Sequence, residues 1–188
     1  MKCDDVYPRL VDHIRQFFSG HEIEYFSWQA GPISTVLPRF RVARVAPGPR
    51  IDQWAYLSVG AWEVDHDASN GLEFLVIAPR DDPRQVEFLA MTAHYHHGER
   101  LGRGHTFPLG QAWLPGSQLN HALVSLPYPF GPNLEICDVD GGHLHFLWLL
   151  PISSAEHTFL LTNGVEALEQ RFEDSALRYW EPGRKSVV

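Results

Sequence analysis

The stretch "HLHFLWLLPISSAE" at 143–156 constrains the fold more than any other part of the chain. Residues 146–152 are apolar at nearly every position, so both faces of a strand here would be apolar. Such a strand belongs in the centre of a sheet, buried on both of its faces. Ser153 and Glu156 follow with the spacing of a capping box, which starts a helix. The passage therefore predicts a central strand that runs directly into a helix.

The rest of the chain alternates predicted helices and strands. Apolar residues at helical spacing predict a helix from Tyr7 to Phe18, with Asp4 or Asp5 as its cap and Gly20 as its end. Further elements are predicted from alternating or continuous apolar runs and from turn residues. They are strands at 39–45, 54–64 and 72–79, the last two a hairpin around 65–71, a helix at 83–97 that Asp82 caps and Gly98 ends, a hairpin at 134–150 that turns at 140–142, and a helix at 165–177.

The composition fits one compact α+β domain over residues 1–188. The formal net charge is −8, and the excess of acidic residues lies after residue 60. A chain of this charge is poorly suited to nucleic acid or to an anionic membrane surface, since both attract positive fields. The charge suits solubility, and it would also steer a basic protein partner. The sequence leaves the partner's identity, the surface that binds it and the oligomeric state open.

Cysteine usage and the N-terminus indicate a cytoplasmic protein. Cys3 and Cys137 are the two cysteines, too few for a disulfide framework and not arranged as a C-x-x-C pair. The opening "MKCDDVYPRL" has no apolar core of a signal peptide. The longest apolar run, at 146–152, is far below the roughly 20 residues needed to span a bilayer. Cys137 itself has apolar neighbours, so it is predicted to be an inert small hydrophobe.

Four histidines lie within the twelve residues "HYHHGERLGRGH" at 94–105. His94 and His97 are three apart near a predicted helix end, and His105 follows a glycine-rich loop, so the three could form an open zinc site. No H-E-x-x-H pattern accompanies them, and the helix dipole favours histidines in a last turn. We therefore expect His94, His97 and His105 to disperse, with a metal site as the alternative.

A second pair, His143 and His145, falls at i and i+2 on a predicted strand. This spacing places both imidazoles on one face of a sheet, as metal sites in β-barrels require. The apolar residues of the same strand instead favour His145 as a hydrogen-bonded core or edge residue. No metal, cofactor or catalytic residue is assigned from this pair.

Acidic pairs and nucleophile motifs give no stronger sign of catalysis. The pairs Asp65 with Asp67 and Asp138 with Asp140 lie beside glycine-containing turns, where aspartate is favoured for backbone reasons. They are therefore expected to be solvated turn residues. The sequence contains neither a G-x-S-x-G elbow nor a phosphate-binding glycine loop.

The C-terminal third carries a family pattern. The segments are "FLWLLPISSAEHTFLLTNGVEALEQRFED" at 146–174 and "GRKSVV" at 183–188. Within them, Leu150-Pro151-Ile152, Glu156, the run Gly164 to Leu168 and Arg184-Lys185-Ser186 resemble positions of the Suppressor of fused domain family. The segments at 54–60, 72–79, 83–97, 101–117 and 123–135 follow in the order of the family's bacterial single-domain branch. The resemblance covers about residues 25–188.

This resemblance implies a mixed α/β domain with a central sheet flanked by helices, and residues 1–24 as an N-terminal helix packed on it. It also implies a protein-binding role rather than catalysis, and it brings no catalytic residues. Eukaryotic members hold a transcription factor with the help of a second domain, which is not expected in this chain. Short bacterial members are proposed to be immunity proteins that neutralise polymorphic toxins. The alternatives are a metal-dependent enzyme that uses the clustered histidines and a structural subunit without a discrete site.

Overall fold

The computed structural model describes residues 6–65 and 70–188 of the chain. The described elements, in chain order, are α1 Val6–Phe17, β1 Ile23–Ser27, α2 Pro32–Val36, β2 Arg41–Val45, β3 Trp54–Val59, a 3-10 helix Ala61–Asp65, β4 Leu72–Ala78, α3 Pro83–Glu99, β5 Thr106–Pro108, β6 Leu119–Ser125, α4 Pro132–Glu135, β7 Ile136–Val139, β8 Gly142–Ser153, α5 Ser154–Asn163 and α6 Val165–Asp174.

These elements form two compact units. The first unit comprises the described part of 1–101 together with 126–148, and the second comprises 102–125 and 149–188. The long strand β8 contributes residues 142–148 to the first unit and 149–153 to the second. No helix within 6–65 or 70–188 is long and apolar enough to cross a membrane.

The sheet of the first unit runs β1-β2-β3-β4-β8, and β7 pairs with β8 beside this path. The pairs β1–β2, β2–β3 and β3–β4 are antiparallel, and β4 is parallel to β8. The predicted β3–β4 hairpin is confirmed by the pairing of Trp54 with Ala78. The predicted hairpin at 134–150 is confirmed by β7 and β8, in which Val139 pairs with Gly142.

Helices cover both faces of this sheet. Glu73 and Phe74 are neighbours on β4 and therefore point to opposite faces. The ring of Phe74 contacts His96 of α3 with centroids 5.3 Å apart. Glu73 pairs with Phe146, whose ring stacks on His13 of α1 at 5.8 Å. Thus α3 packs on one face and α1 on the other, which explains why β4 and β8 are apolar almost throughout.

The second unit joins strands β5 and β6 of the sheet to two helices. Strand β5 pairs antiparallel with β6, which is the neighbour of β8 in the strand order. The capping box predicted from Ser153 and Glu156 is present at the start of α5. Helix α5 contacts β6 and α6, and it buries Leu160 while α6 buries Leu168 and Phe172.

The chain is therefore a mixed α/β protein with one open, mixed sheet flanked by helices, as predicted. The predicted strand at 54–64 is too long, because Gly60 adopts φ 111° and a 3-10 helix follows it. At Gly60 a Cβ atom would lie 2.5 Å from the hydroxyl oxygen of Tyr7, so a side chain has no room. The tip of the predicted loop at 65–71 lies outside the described residues.

Two helix ends also differ from the sequence prediction. Helix α3 continues through Gly98 to Glu99 and ends at Arg100, which has the left-handed φ of 53°. Helix α6 ends at Asp174 instead of 177, and Ala176 has φ 47°. The short elements β1, α2 and α4 were not predicted, because each has at most five residues and no clear periodicity.

Candidate functional site

The first unit contains a cleft between the edge of its sheet and the start of α3. Antiparallel pairing puts Glu24 opposite Arg44 and Phe26 opposite Val42, so Phe26 and Arg44 face the same side of the sheet. The first turn of α3, capped by Asp82 through its bond to the Arg84 N–H, closes that side. The cleft has a volume of about 420 Å³ and is lined by Phe26, Ser27, Trp28, Arg44, Asp81, Pro83, Val86 and Glu87.

Arg44 is fixed in the wall of the cleft by two carboxylates. Its guanidinium donates to Asp81 Oδ2 at 2.5 Å and to Glu24 Oε2 at 2.5 Å. The same group lies over the rings of Phe26 and Trp54, 5.3 Å and 5.2 Å from their centroids. These contacts hold a charged side chain in one position without leaving its charge unmatched.

A buried tyrosine ties the cleft to the body of the sheet. The hydroxyl of Tyr56 donates to Asp81 Oδ1 at 2.9 Å and accepts from the Asp82 N–H at 2.9 Å. Burial raises the pKa of Tyr56, so its hydroxyl stays protonated and able to donate. Asp81 is thereby positioned from two sides, by Tyr56 and by Arg44.

Two exposed apolar side chains follow Glu87 along α3. Met91 lies one turn after Glu87 and is 46% exposed, and Tyr95 lies one turn further and is 40% exposed. Tyrosine and methionine are enriched in protein interfaces, and side chains at i and i+4 share a helix face. Glu87, Met91 and Tyr95 thus form a surface strip next to the cleft.

A buried carboxylate lies in the centre of the first unit. Glu73 on β4 is 0% exposed, accepts from the Gly60 N–H at 2.6 Å and accepts from the Ser58 hydroxyl. Burial raises its pKa to about 7, although the Ser58 and backbone hydrogen bonds act in the opposite direction. Its pKa would suit a general base, but a fully buried side chain cannot reach a substrate.

The four histidines of 94–105 differ in their exposure to solvent. His94, His97 and His105 are all exposed, whereas His96 is buried. The Nδ1 atom of His96 accepts from the Leu101 N–H at 2.8 Å, which secures the chain as it leaves α3. Among residues 6–65 and 70–188, no three or more His, Cys, Asp or Glu side chains are arranged to hold a metal ion.

The second histidine pair has acidic neighbours on the same hairpin. The Nδ1 atom of His143 lies 2.7 Å from Asp138 Oδ1, and both side chains are exposed. His145 is partly buried, 3.9 Å from Glu135 Oε1, at the point where β4, β7 and β8 meet. His145 therefore lies at the border of the core, and its 3.9 Å separation from Glu135 is longer than a hydrogen bond.

The acidic pairs and cysteines show no catalytic arrangement within the described residues. Asp138 contacts His143, and Asp140 accepts from Arg9 at 2.7 Å on the surface. Asp67 and Cys3 lie outside the described residues, as does the side chain of Asp65. Cys137 is buried, and burial raises the pKa of its thiol to about 12, so it is present as the unreactive thiol.

The second unit contains a buried ion pair at the start of α5. Arg184 donates to both oxygens of Glu156, at 2.6 Å and 2.9 Å, and to the Pro151 carbonyl at 2.9 Å. Glu156 also accepts from the N–H groups of Ser153 and Val187. This pair attaches the C-terminal tail to the strand–helix junction.

Sequence reasoning missed the cleft and Glu73. A signal for Glu73 was present, because it is the single charged residue in the apolar strand "LEFLVIA". Arg44 lies in a strand, and Asp81 lies 37 residues later in a turn-like segment. Neither segment gives a sign in the sequence that the two side chains meet. Arg184, the first residue of the motif Arg184-Lys185-Ser186 that resembles the family pattern, binds Glu156 and the Pro151 carbonyl.

Comparison with known proteins identifies relatives over most of the chain. The family model of the Suppressor of fused protein matches residues 37–185. A crystal structure of a Suppressor of fused homologue from Neisseria gonorrhoeae FA 1090 is 34% identical, with a TM-score of 0.86 and coverage of 98% of each chain. A search of curated proteins gives no significant match.

Two more distant structures share the fold. The chain from the Sufu–Fu complex is 13% identical, with a TM-score of 0.74, and the match covers 97% of this chain and 92% of that one. Drosophila Suppressor of Fused is 14% identical with a TM-score of 0.70, and the match covers 97% of this chain and 51% of that one.

Proposed function

The chain belongs to the Suppressor of fused family, and we propose on that premise that it acts without catalysis, by binding one protein partner. The observation that carries the proposal is the match to the Neisseria gonorrhoeae homologue, which spans 98% of both chains at 34% identity. Further support comes from the Sufu–Fu complex, because a chain of the same fold is there part of a complex.

In its finer form, the proposal is that the chain is a cytoplasmic immunity protein that neutralises a polymorphic toxin. The net charge of −8 supports a basic partner, such as a nuclease toxin, because charges of opposite sign speed and orient association. The single-domain organisation over 1–188 remains a prediction.

The surface chemistry of the first unit is consistent with binding. The strip of Glu87, Met91 and Tyr95 combines an acidic group with apolar and aromatic side chains in the manner of interface residues. Glu73, whose raised pKa would suit acid–base chemistry, is fully buried, and Asp138 and Asp140 are solvated. Neither placement favours turnover of a substrate.

The test is capture of the partner from the native host with the tagged full-length chain. We expect one basic protein at about equal amounts, whose expression alone arrests growth and whose co-expression with this chain does not. Recovery of no protein partner, together with turnover of a small molecule by the purified chain, would contradict the proposal.

Elemental analysis of the untagged protein separates the metal-enzyme alternative. We expect zinc, iron and manganese well below one ion per chain. A full equivalent of any of them that is lost on substitution of His94 or His143 would favour that alternative.

A further inference from the structure

We propose that the cleft between β1 and α3 receives a lysine or arginine side chain of the protein partner. This proposal rests on the proposed binding function and names the surface and the chemistry that this function would use. It follows from the charge of the cleft, from its apolar lining and from the strip beside it.

The charges of the cleft favour a cation. Three of its lining side chains are charged, namely Arg44, Asp81 and Glu87. The positive charge of Arg44 is matched by Asp81 and by Glu24 from outside the lining, both at 2.5 Å. Glu87 is exposed, so its negative charge is available at the mouth of the cleft. An incoming anion would face the carboxylates of Asp81 and Glu87 against one guanidinium, whereas an incoming cation would be attracted by this excess of negative charge in the lining.

The walls suit the aliphatic part of a long basic side chain. Trp28, Pro83 and Val86 provide apolar surface, and the indole of Trp28 is only partly buried. Long basic side chains bury their methylene groups along apolar surface while the charged end stays near polar groups. Trp28 can also bind a cation through its ring face, because tryptophan is the strongest aromatic partner for cations.

The fixed position of Arg44 keeps the cleft from collapsing and keeps the Arg44 side chain from filling it. Its guanidinium is held over Phe26 and Trp54 by carboxylates on two different elements, so it forms part of the wall. The volume of about 420 Å³ lies within the range of pockets that take a small ligand. The cleft is therefore preformed, and a partner side chain could enter without rearrangement of the sheet.

The neighbouring strip offers contacts for the rest of the partner segment. Met91 and Tyr95 continue from Glu87 along the same helix face. A basic side chain in the cleft and an apolar residue of the same segment on Met91 and Tyr95 would combine an oriented charge with apolar burial. Such a combination of a charged contact with large apolar side chains is typical of the residues that dominate binding.

The probe is a fluorescein-labelled nonapeptide, Gly-Val-Lys-Val-Arg-Val-Lys-Val-Gly, titrated with the full chain by anisotropy. A peptide with glutamate in place of its three basic residues is the charge control. We expect the basic peptide to bind and the acidic peptide to show no binding in the same concentration range. The indole N–H signal of Trp28, assigned by comparison with Trp28→Phe, should shift during titration with the basic peptide.

Matched charge reversals locate the site. Glu87→Lys at the mouth of the cleft should weaken binding of the basic peptide roughly tenfold. Glu173→Lys changes the net charge equally on the exposed face of α6 and should weaken it less than about twofold. Equal thermal midpoints for both variants will show that each is folded. Trp28→Ala should weaken binding by a similar factor to Glu87→Lys.

The outcomes distinguish this inference from the proposed function. Equal losses for Glu87→Lys and Glu173→Lys, or no shift of the Trp28 signal, would overturn the cleft as the site. If Glu87→Lys also leaves a captured partner bound, the binding function stands and its surface lies elsewhere. Failure of the proposed function would instead appear as the absence of a partner for the wild-type chain.

Discussion

The two units each contain a fully buried glutamate, and they satisfy it in different ways. Glu73 in the first unit and Glu156 in the second are both 0% exposed. Glu73 is surrounded by neutral donors, the Ser58 hydroxyl and the N–H groups of Gly60 and Trp62. Glu156 has Arg184 on both of its oxygens. Neutral donors leave a buried carboxylate able to take up a proton, whereas Arg184 supplies Glu156 with an opposite charge and two hydrogen bonds.

Glu73 is therefore a site whose charge responds to pH, whereas Glu156 attaches the C-terminal tail. Glu73 titrates near pH 7, because burial raises its pKa more than its hydrogen bonds lower it. The Glu156–Arg184 pair joins residues 28 apart and fixes the tail beside α5. Three of the following four predictions test this difference, and the fourth concerns a histidine pair of the second unit; they run from the largest expected effect to the smallest.

Arg184→Met should destabilise the protein by about 3–5 kcal/mol, because it leaves Glu156 buried without its cation. The free energy of unfolding from urea denaturation at pH 7 measures the loss. Arg184→Lys keeps the charge but not the two parallel bonds, and it should lose less. The double variant with Glu156→Gln should recover part of the stability, and a loss below about 1 kcal/mol in the single variant would show that the pair is not an attachment point.

The stability of the protein should fall as pH rises from about 4.5 to above 7, owing to Glu73. Its pKa is raised from 4.5 to about 7 on folding, so the folded state binds the proton more tightly. The stabilisation is complete below pH 4.5 and is lost as pH rises through 7, a change of about 3 kcal/mol.

Glu73→Gln is the control for that pH dependence. A glutamine can accept from the Gly60 N–H and donate to Ser58, as the protonated acid does, but it cannot ionise. The difference in unfolding free energy between wild type and Glu73→Gln, measured at pH 5, 6, 7 and 8, should therefore carry the whole effect. A constant difference across this range is the result that would exclude titration of Glu73.

Ser58→Ala should cost about 1–2 kcal/mol, since the Ser58 hydroxyl donates to Glu73 and accepts from the Phe74 N–H. The hydrogen bond from Ser58 lowers the pKa of Glu73, so its removal should move the midpoint of the pH profile upward. Urea denaturation at several pH values gives both quantities. Ser154→Ala, at an exposed position on α5, serves as the matched control and should leave the midpoint unchanged.

The smallest effect is expected at a histidine pair in the second unit. The rings of His121 and His157 stack with centroids 4.3 Å apart. Burial, followed by the charge of His157, lowers the pKa of His121, so the unfolded state binds its proton more tightly. The lowered pKa of His121 therefore contributes to the free energy of unfolding above pH 6.5, and this contribution is lost as pH falls below 6.5. In His157→Phe the pKa of His121, measured by NMR titration, should move back toward its ordinary value.

Local patterns predicted most of the regular elements. The helix α1, the hairpins β3–β4 and β7–β8, and the capping box of α5 depend on residues close together in sequence, so they were predicted correctly. The errors lie where a hydrogen bond between a side chain and the backbone decides the conformation. The chain after Val59 turns into a 3-10 helix whose first N–H groups face Glu73, and α3 continues past Gly98 to the bond between His96 and Leu101.

The amino-acid sequence alone is enough to predict the resemblance to the family, the central apolar strand with its helix, and the acidic charge. The resemblance rests on the motifs of the C-terminal third, the strand and helix on their apolar pattern, and the charge on composition. The tertiary structure decided which charged residues are buried and what they meet. Arg44 with Asp81, Glu73 with Ser58, and Glu156 with Arg184 are 37, 15 and 28 residues apart. Their protonation and pairing depend on desolvation and distance, which exist only once the sheet and its helices have brought these residues together.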